Sequence, residues 1–142
     1  MRLSSIPTML RASCLLLIFS ASCAVAQSAA PAPQAEPATA KIFNREVVIF
    51  RSTLMGASPE FRAERAEGRL KQQLDASDPK VTTLINPLGV IFEIDGNLTF
   101  VLTASDADQL NGETLQAATA NTLNNLQTII AASRESRNKQ HL

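Results

Sequence analysis

Four short runs of β-branched and aromatic residues, two longer stretches with apolar residues at helical spacing, and a Pro/Ala-rich lead-in predict an α+β fold. The expected architecture is a small two-layer sandwich of order β-α-β-β-β-α, with the sheet covered on one face by two helices. At 142 residues the chain is the size of one folded domain.

Residues 1–26 have the pattern of a secretory signal peptide. Arg2 and Arg11 supply positive charge, Cys14 to Phe19 begin a short apolar core, and Ala24-Val25-Ala26 fits the small-x-small cleavage rule. The apolar run is shorter than the ~20 residues that span a bilayer. Cleavage after Ala26 is expected to deliver a chain beginning at Gln27 to the periplasm. Both cysteines, Cys14 and Cys23, lie in the segment removed, so the mature chain is expected to form no disulfide. An alternative is a lipid on Cys23, since Ser20-Ala21-Ser22 before it loosely resembles a lipoprotein cleavage box.

Residues 27–40 are rich in Pro and Ala and carry no large apolar side chain, so they read as an extended tether. The folded domain is expected over 41–137, with a C-terminal tail at 138–142. Glu46 to Arg51 is a strand signal that Met55-Gly56-Ala57 breaks. Ser58-Pro59 opens a helix, because serine caps and proline suits the first helical position. Ala63, Ala66, Leu70 and Leu74 form its buried stripe. Pro79 steers the residue before it out of the helical region. Lys80 to Ile85 is a second strand, ended by Asn86-Pro87. Two further strands alternate through Val90, Phe92, Ile94 and through Leu98, Phe100, Leu102, joined at Asp95-Gly96-Asn97. A two-residue loop would put these triplets on opposite faces, and a three-residue loop puts both on one. The second suits a sheet buried on one side. On that register Phe100→Asp costs several kcal/mol and Thr99→Asp is tolerated. The last helix is expected from Asn111 or Gly112 to about Arg134, burying Leu115, Ala118, Thr122, Leu126, Ile129 and Ile130.

The charged residues exclude several function classes. Without Arg2 and Arg11 the chain has 11 basic residues against 13 acidic, a net charge of −2. With no Trp or Tyr, that balance argues against nucleic-acid binding. The single histidine, His141, is one residue from the end, where a frayed terminus holds no catalytic base in place. No phosphate-loop, dinucleotide or H-E-x-x-H zinc motif is present. Asn97-Leu98-Thr99 is a formal glycosylation triplet that reads as a turn.

Two groups remain as candidate sites. Asp106 and Asp108 fail as a calcium loop: Gly112 comes one position late, and the twelfth residue is Ala117 rather than Glu. They have no His, Lys or Tyr nearby in sequence for acid–base work. They read as a strand-to-helix turn, where Asp bonds local backbone. Changing both to Asn is then expected to shift stability by less than about 1 kcal/mol. Arg62, Arg65 and Arg69 line one side of the first helix. They read either as a solvated face with local ion pairs or as a basic interaction face for anionic headgroups or an acidic partner.

Three segments in order resemble the extracytoplasmic domain that precedes the membrane helices in some channels of the bacterial small-conductance mechanosensitive type. They are Ser58-Pro-Glu-Phe-Arg-Ala-Glu-Arg-Ala-Glu-Gly-Arg-Leu70, Leu98-Thr-Phe-Val-Leu-Thr-Ala-Ser-Asp-Ala-Asp108 and Gly112-Glu-Thr-Leu-Gln-Ala117, within about residues 45–137. Such channels continue into membrane helices and a pore, and this sequence shows no such segment before Leu142. The resemblance therefore implies a non-enzymatic, exported accessory or interaction domain, or a truncated relative of such a channel, without conduction, catalytic residues, cofactor or metal. Its expected partners are a membrane channel or further copies of itself, with membrane contact by association or through Cys23. The alternative is a free periplasmic module that binds a small ligand or ion near the 103–112 turn.

Overall fold

The computed structural model describes residues 35–76 and 78–140. The expected signal segment, the lipidation alternative at Cys23, most of the tether and His141 lie outside the described residues. The fold is α+β, with element order β-β-α-β-β-β-α. Strands β1 (Ala38–Ile42) and β2 (Arg45–Phe50) form an antiparallel pair. Helix α1 (Pro59–Gln73) follows. Strands β3 (Val81–Asn86), β4 (Gly89–Ile94) and β5 (Asn97–Leu102) make an antiparallel meander, and helix α2 (Leu115–Gln140) closes the order.

Two expectations about the strands are corrected first. The strands form two separate sheets rather than one. Where β2 ends, the main-chain N–H groups of Arg51 and Ser52 turn to the Asp106 carboxylate instead of a neighbouring strand, and Asn125 of α2 donates to the Val47 carbonyl. The first strand, β1, begins inside the stretch read as a tether. Its pairing depends on Phe43-Asn44, both in the left-handed region at φ 49° and 63°, the geometry of a two-residue hairpin turn. Asn tolerates that region, and Phe43 is held there by the pairing on either side.

The helices follow their periodicity. Ser58 caps α1 by accepting from Phe61 N–H at 3.2 Å, and Pro59 takes the first turn. Ala63, Ala66, Leu70 and Leu74 are all buried, as are Ala118, Thr122, Leu126, Ile129 and Ile130 of α2. The start of α2 differs from expectation. Gly112, at φ 75°, ends a short 3₁₀ turn over Gln109–Asn111, and Thr114 then caps α2 by accepting from Ala117 N–H. Its end differs too, since the helix runs through the expected tail to Gln140. The core joins both sheets through Phe50, Phe92 and Phe100. Phe92 stacks on Phe100 at 4.7 Å between ring centroids, and Phe50 meets Phe100 edge-on at 5.8 Å.

The β4–β5 hairpin combines the two loop options. Ile94 pairs with Asn97 across a two-residue turn, with Asp95 and Gly96 at φ 53° and 77°. The register then shifts, so that Glu93 faces Leu98 and Phe92 faces Phe100. Thr99 is the extra residue, a β-bulge that returns Phe100 and Leu102 to the core face. Leu98 is left outside, 46% exposed, while Thr99 is 1% exposed and donates to the Gln73 side chain at 2.6 Å. The expected tolerance of Thr99→Asp is therefore reversed, because the bulge turns that side chain inward.

Candidate functional site

Of the residues singled out in the sequence, Arg62 and Asp106 meet in space, while Asp106 and Asp108 both bond the turn as expected. The β5 strand leads into a 3₁₀ turn at Ala104–Asp106, and the Asp106 side chain folds back to accept from Thr103 N–H and Thr103 Oγ1, both at 2.9 Å. Thr103-x-x-Asp106 is a capping pattern visible in the sequence. From α1, Arg62 reaches the same carboxylate with two parallel bonds, Nη1 to Oδ1 at 2.8 Å and Nη2 to Oδ2 at 2.7 Å. Arg51 N–H, Ser52 N–H and Ser52 Oγ add three donors to Oδ1, at 3.0, 3.1 and 2.8 Å.

Asp106 and Arg62 are 2% and 8% exposed, so this is a buried ion pair. Arg62 also donates to the carbonyls of Ser52 and Val101 and lies 4.4 Å above the Phe50 ring. Burial by itself raises the pKa of Asp106. The bonds from Arg62, Thr103 and Ser52, with the Arg62 charge, outweigh it and hold the carboxyl below its ordinary value. Both carboxylate oxygens are thus committed to strand end, turn and helix.

Asp108 serves the next turn. It accepts from Asn111 N–H and Asn111 Nδ2 and pairs with Arg51 at 3.3 Å. The bond from Asn111 is the main cause of its lowered pKa. Both aspartates therefore shape the strand-to-helix turn, and Asp106 in addition binds α1 to it. Beside them, Arg51, Asp108, Asn111, Glu113, Asn121 and Asn125 line a polar cleft of about 290 Å³ between β2, the turn and α2.

The three arginines do not form one ridge. Arg62 is buried, which corrects its place on an exposed face. Arg69 turns to the edge of β5 and donates to the Thr99 carbonyl at 3.1 Å. Arg65 is exposed and stacks over Phe61, 5.5 Å from its centroid. Between α1 and β5 lies a second groove of about 290 Å³, whose walls include Leu54, Met55, Phe61, Leu98 and Arg65. Met55, Phe61 and Leu98 are 86%, 47% and 46% exposed. Ser52 and this groove went unread in the sequence, since Ser52 meets Asp106 and α1 meets β5 only in the fold. Among the described residues no group of three or more His, Cys, Asp or Glu could hold a metal ion, and no helix is long and apolar enough to cross a membrane.

Fold and site together define a small α+β domain in which a buried Arg–Asp pair ties a helix to the end of one strand and the turn after another. The chain belongs to the family described as Domain of unknown function (DUF8459), which matches residues 38–133. No curated protein and no solved structure matches it.

Proposed function

We propose that the protein is an exported, non-enzymatic interaction domain that works beside a membrane channel, similar to the periplasmic part of a mechanosensitive-type channel. The observation that carries this reading is the apolar groove between α1 and β5. Isolated exposed apolar residues are ordinary. Met55, Phe61 and Leu98 instead share one groove with an exposed arginine on its wall, a pattern typical of a protein contact. The commitment of Asp106 and Arg62 to internal bonds supports a structural rather than chemical role for them. The test is a photo-crosslinking residue at Met55 in exported protein, with one at the exposed Asn124 of α2 as control. Met55 is expected to capture an integral inner-membrane protein, in a chain whose intact mass begins at Gln27. Capture of soluble proteins alone, or equal yields from both positions, would overturn the reading.

A second reading rests on the polar cleft, where Arg51 and Asp108 keep 29% and 26% of their side chains exposed. There the domain would bind a small ligand or ion. A melting temperature raised by calcium or magnesium in the wild type, and not in Asp108→Asn, would put this reading first.

A further inference from the structure

The strand edges of this fold are not treated alike. On β5, Arg62 and Arg69 donate to the carbonyls of Val101 and Thr99, and Gln73 donates to those of Asn97 and Leu98. Glu67 of α1 accepts from Lys41 N–H of β1, and Asn125 of α2 donates to Val47 of β2. Side chains thus close off main-chain groups that would otherwise recruit another strand. The exception is β3, at the other edge of the meander. It pairs with β4 in an uninterrupted register from Val81↔Ile94 to Asn86↔Gly89. In that register Asn86, Leu84 and Thr82 bond β4, which turns the N–H and C=O of Val81, Thr83 and Ile85 to the open side. Among the described residues, no side chain bonds the main chain of β3.

Helix α2 passes beside β3, but the strand's own sequence lacks the usual edge protection. Val-Thr-Thr-Leu-Ile-Asn has no charge, no proline and no bulge. Pro79 and Pro87 bound it on either side. Leu84 is 51% exposed and Ile85 is 88% exposed.

We infer that β3 is a homodimerisation edge, on which a second copy of this chain pairs antiparallel through its own β3. The strand is complementary to itself about Thr83. A two-fold axis there sets Thr83 against Thr83 of the other copy, Val81 against Ile85, and Thr82 against Leu84. Both Ile85 side chains gain an apolar neighbour, and no like charges meet. The result is a continuous six-stranded sheet. Antiparallel edge pairing is isologous and uses the open edge of both copies. The far edges are the β5 strands, whose carbonyls at Thr99 and Val101 are already taken by α1 side chains, so assembly is expected to stop at two. This inference is independent of the channel reading.

The test is light scattering after size exclusion, across a concentration series, on exported wild type and on Ile85→Lys and Ile85→Ser. Residue-resolved amide exchange is measured on the same samples. The wild type is expected to move from monomer to dimer. The amides of Val81, Thr83 and Ile85 gain protection with concentration, while those of Thr82, Leu84 and Asn86 are protected throughout. Each substitution occurs twice in the dimer, so both variants should weaken it about tenfold or more. Ile85 is exposed in the monomer, so their circular dichroism should match the wild type. A wild type that stays monomeric overturns the inference. So does a dimer unaffected by both variants, open-ended polymer, or protection of the three amides only when a different protein is added.

Discussion

Replacing Asp106 by Asn is expected to cost about 3–5 kcal/mol of folding stability, the range for breaking a buried ion pair from one side. The carboxylate takes seven donors: four on Oδ1 and three on Oδ2. An amide must place its NH2 at one of those positions, where donors then face a donor. It also leaves the Arg62 guanidinium, 8% exposed, without its counter-charge. Arg62→Gln should cost a similar amount, and the double variant clearly less than the sum, since both remove the same interaction. It should not recover wild-type stability, because the N–H groups of Arg51, Ser52 and Thr103 still need their acceptor. Urea denaturation of the four proteins decides the matter. A loss below about 1 kcal/mol for Asp106→Asn would return Asp106 to the plain turn residue that sequence alone suggested.

The same pair sets a pH response. The Asp106 pKa is lower in the folded chain than in the unfolded one, so its contribution is fully present above the unfolded value of about 3.9. As pH falls below that value the unfolded chain takes up the proton first, and stability declines until the folded carboxyl protonates as well. Wild type should therefore lose stability below about pH 4 more steeply than Asp106→Asn, which has no proton to gain there.

What was legible in the sequence follows from the range of each interaction. The two helices were readable because Ala63, Ala66, Leu70 and the stripe from Ala118 to Ile130 repeat at helical spacing, and Ser58-Pro59 signals its own start. Strand β1 was hidden because Ala38 and Ala40 look like more of the Pro/Ala lead-in, and only pairing with β2 shows that Ala40 and Ile42 are buried. The bulge at Thr99 was hidden for a related reason: the bond from Thr99 to Gln73 connects residues far apart in sequence. The Arg62–Asp106 pair is the strongest case. Helical spacing placed Arg62 with Arg65 and Arg69, and turn chemistry placed Asp106 with Asp108. Neither local rule reports that α1 lies against the end of β5 and points one arginine of three inward.

Gly89→Ala is the second substitution expected to be severe, at about 2–5 kcal/mol, for reasons of backbone rather than charge. Gly89 begins β4 at φ 146°, a conformation that side chains rarely adopt. A Cβ there would lie 2.1 Å from the Leu102 carbonyl oxygen and 3.1 Å from the Thr103 Cα. The obstructing atoms are main chain, so no rotamer change relieves the contact. Either the β3–β4 turn opens or the end of β5 moves away. The second response displaces Thr103, whose N–H and hydroxyl both bond Asp106. The damage should therefore reach the ion pair, visible as shifted amide resonances at Arg51, Ser52 and Thr103. Gly68 is the matched control. It lies in α1, where an added Cβ would meet nothing within 4 Å, so Gly68→Ala should stabilise by about 0.5–1 kcal/mol through helix propensity. Opposite signs for the two Gly→Ala changes in urea denaturation are the expected result. A loss under about 1 kcal/mol at Gly89 would mean that β5 yields at Leu102 without strain, and that the close approach of β4 to β5 is not what fixes Thr103 against Asp106.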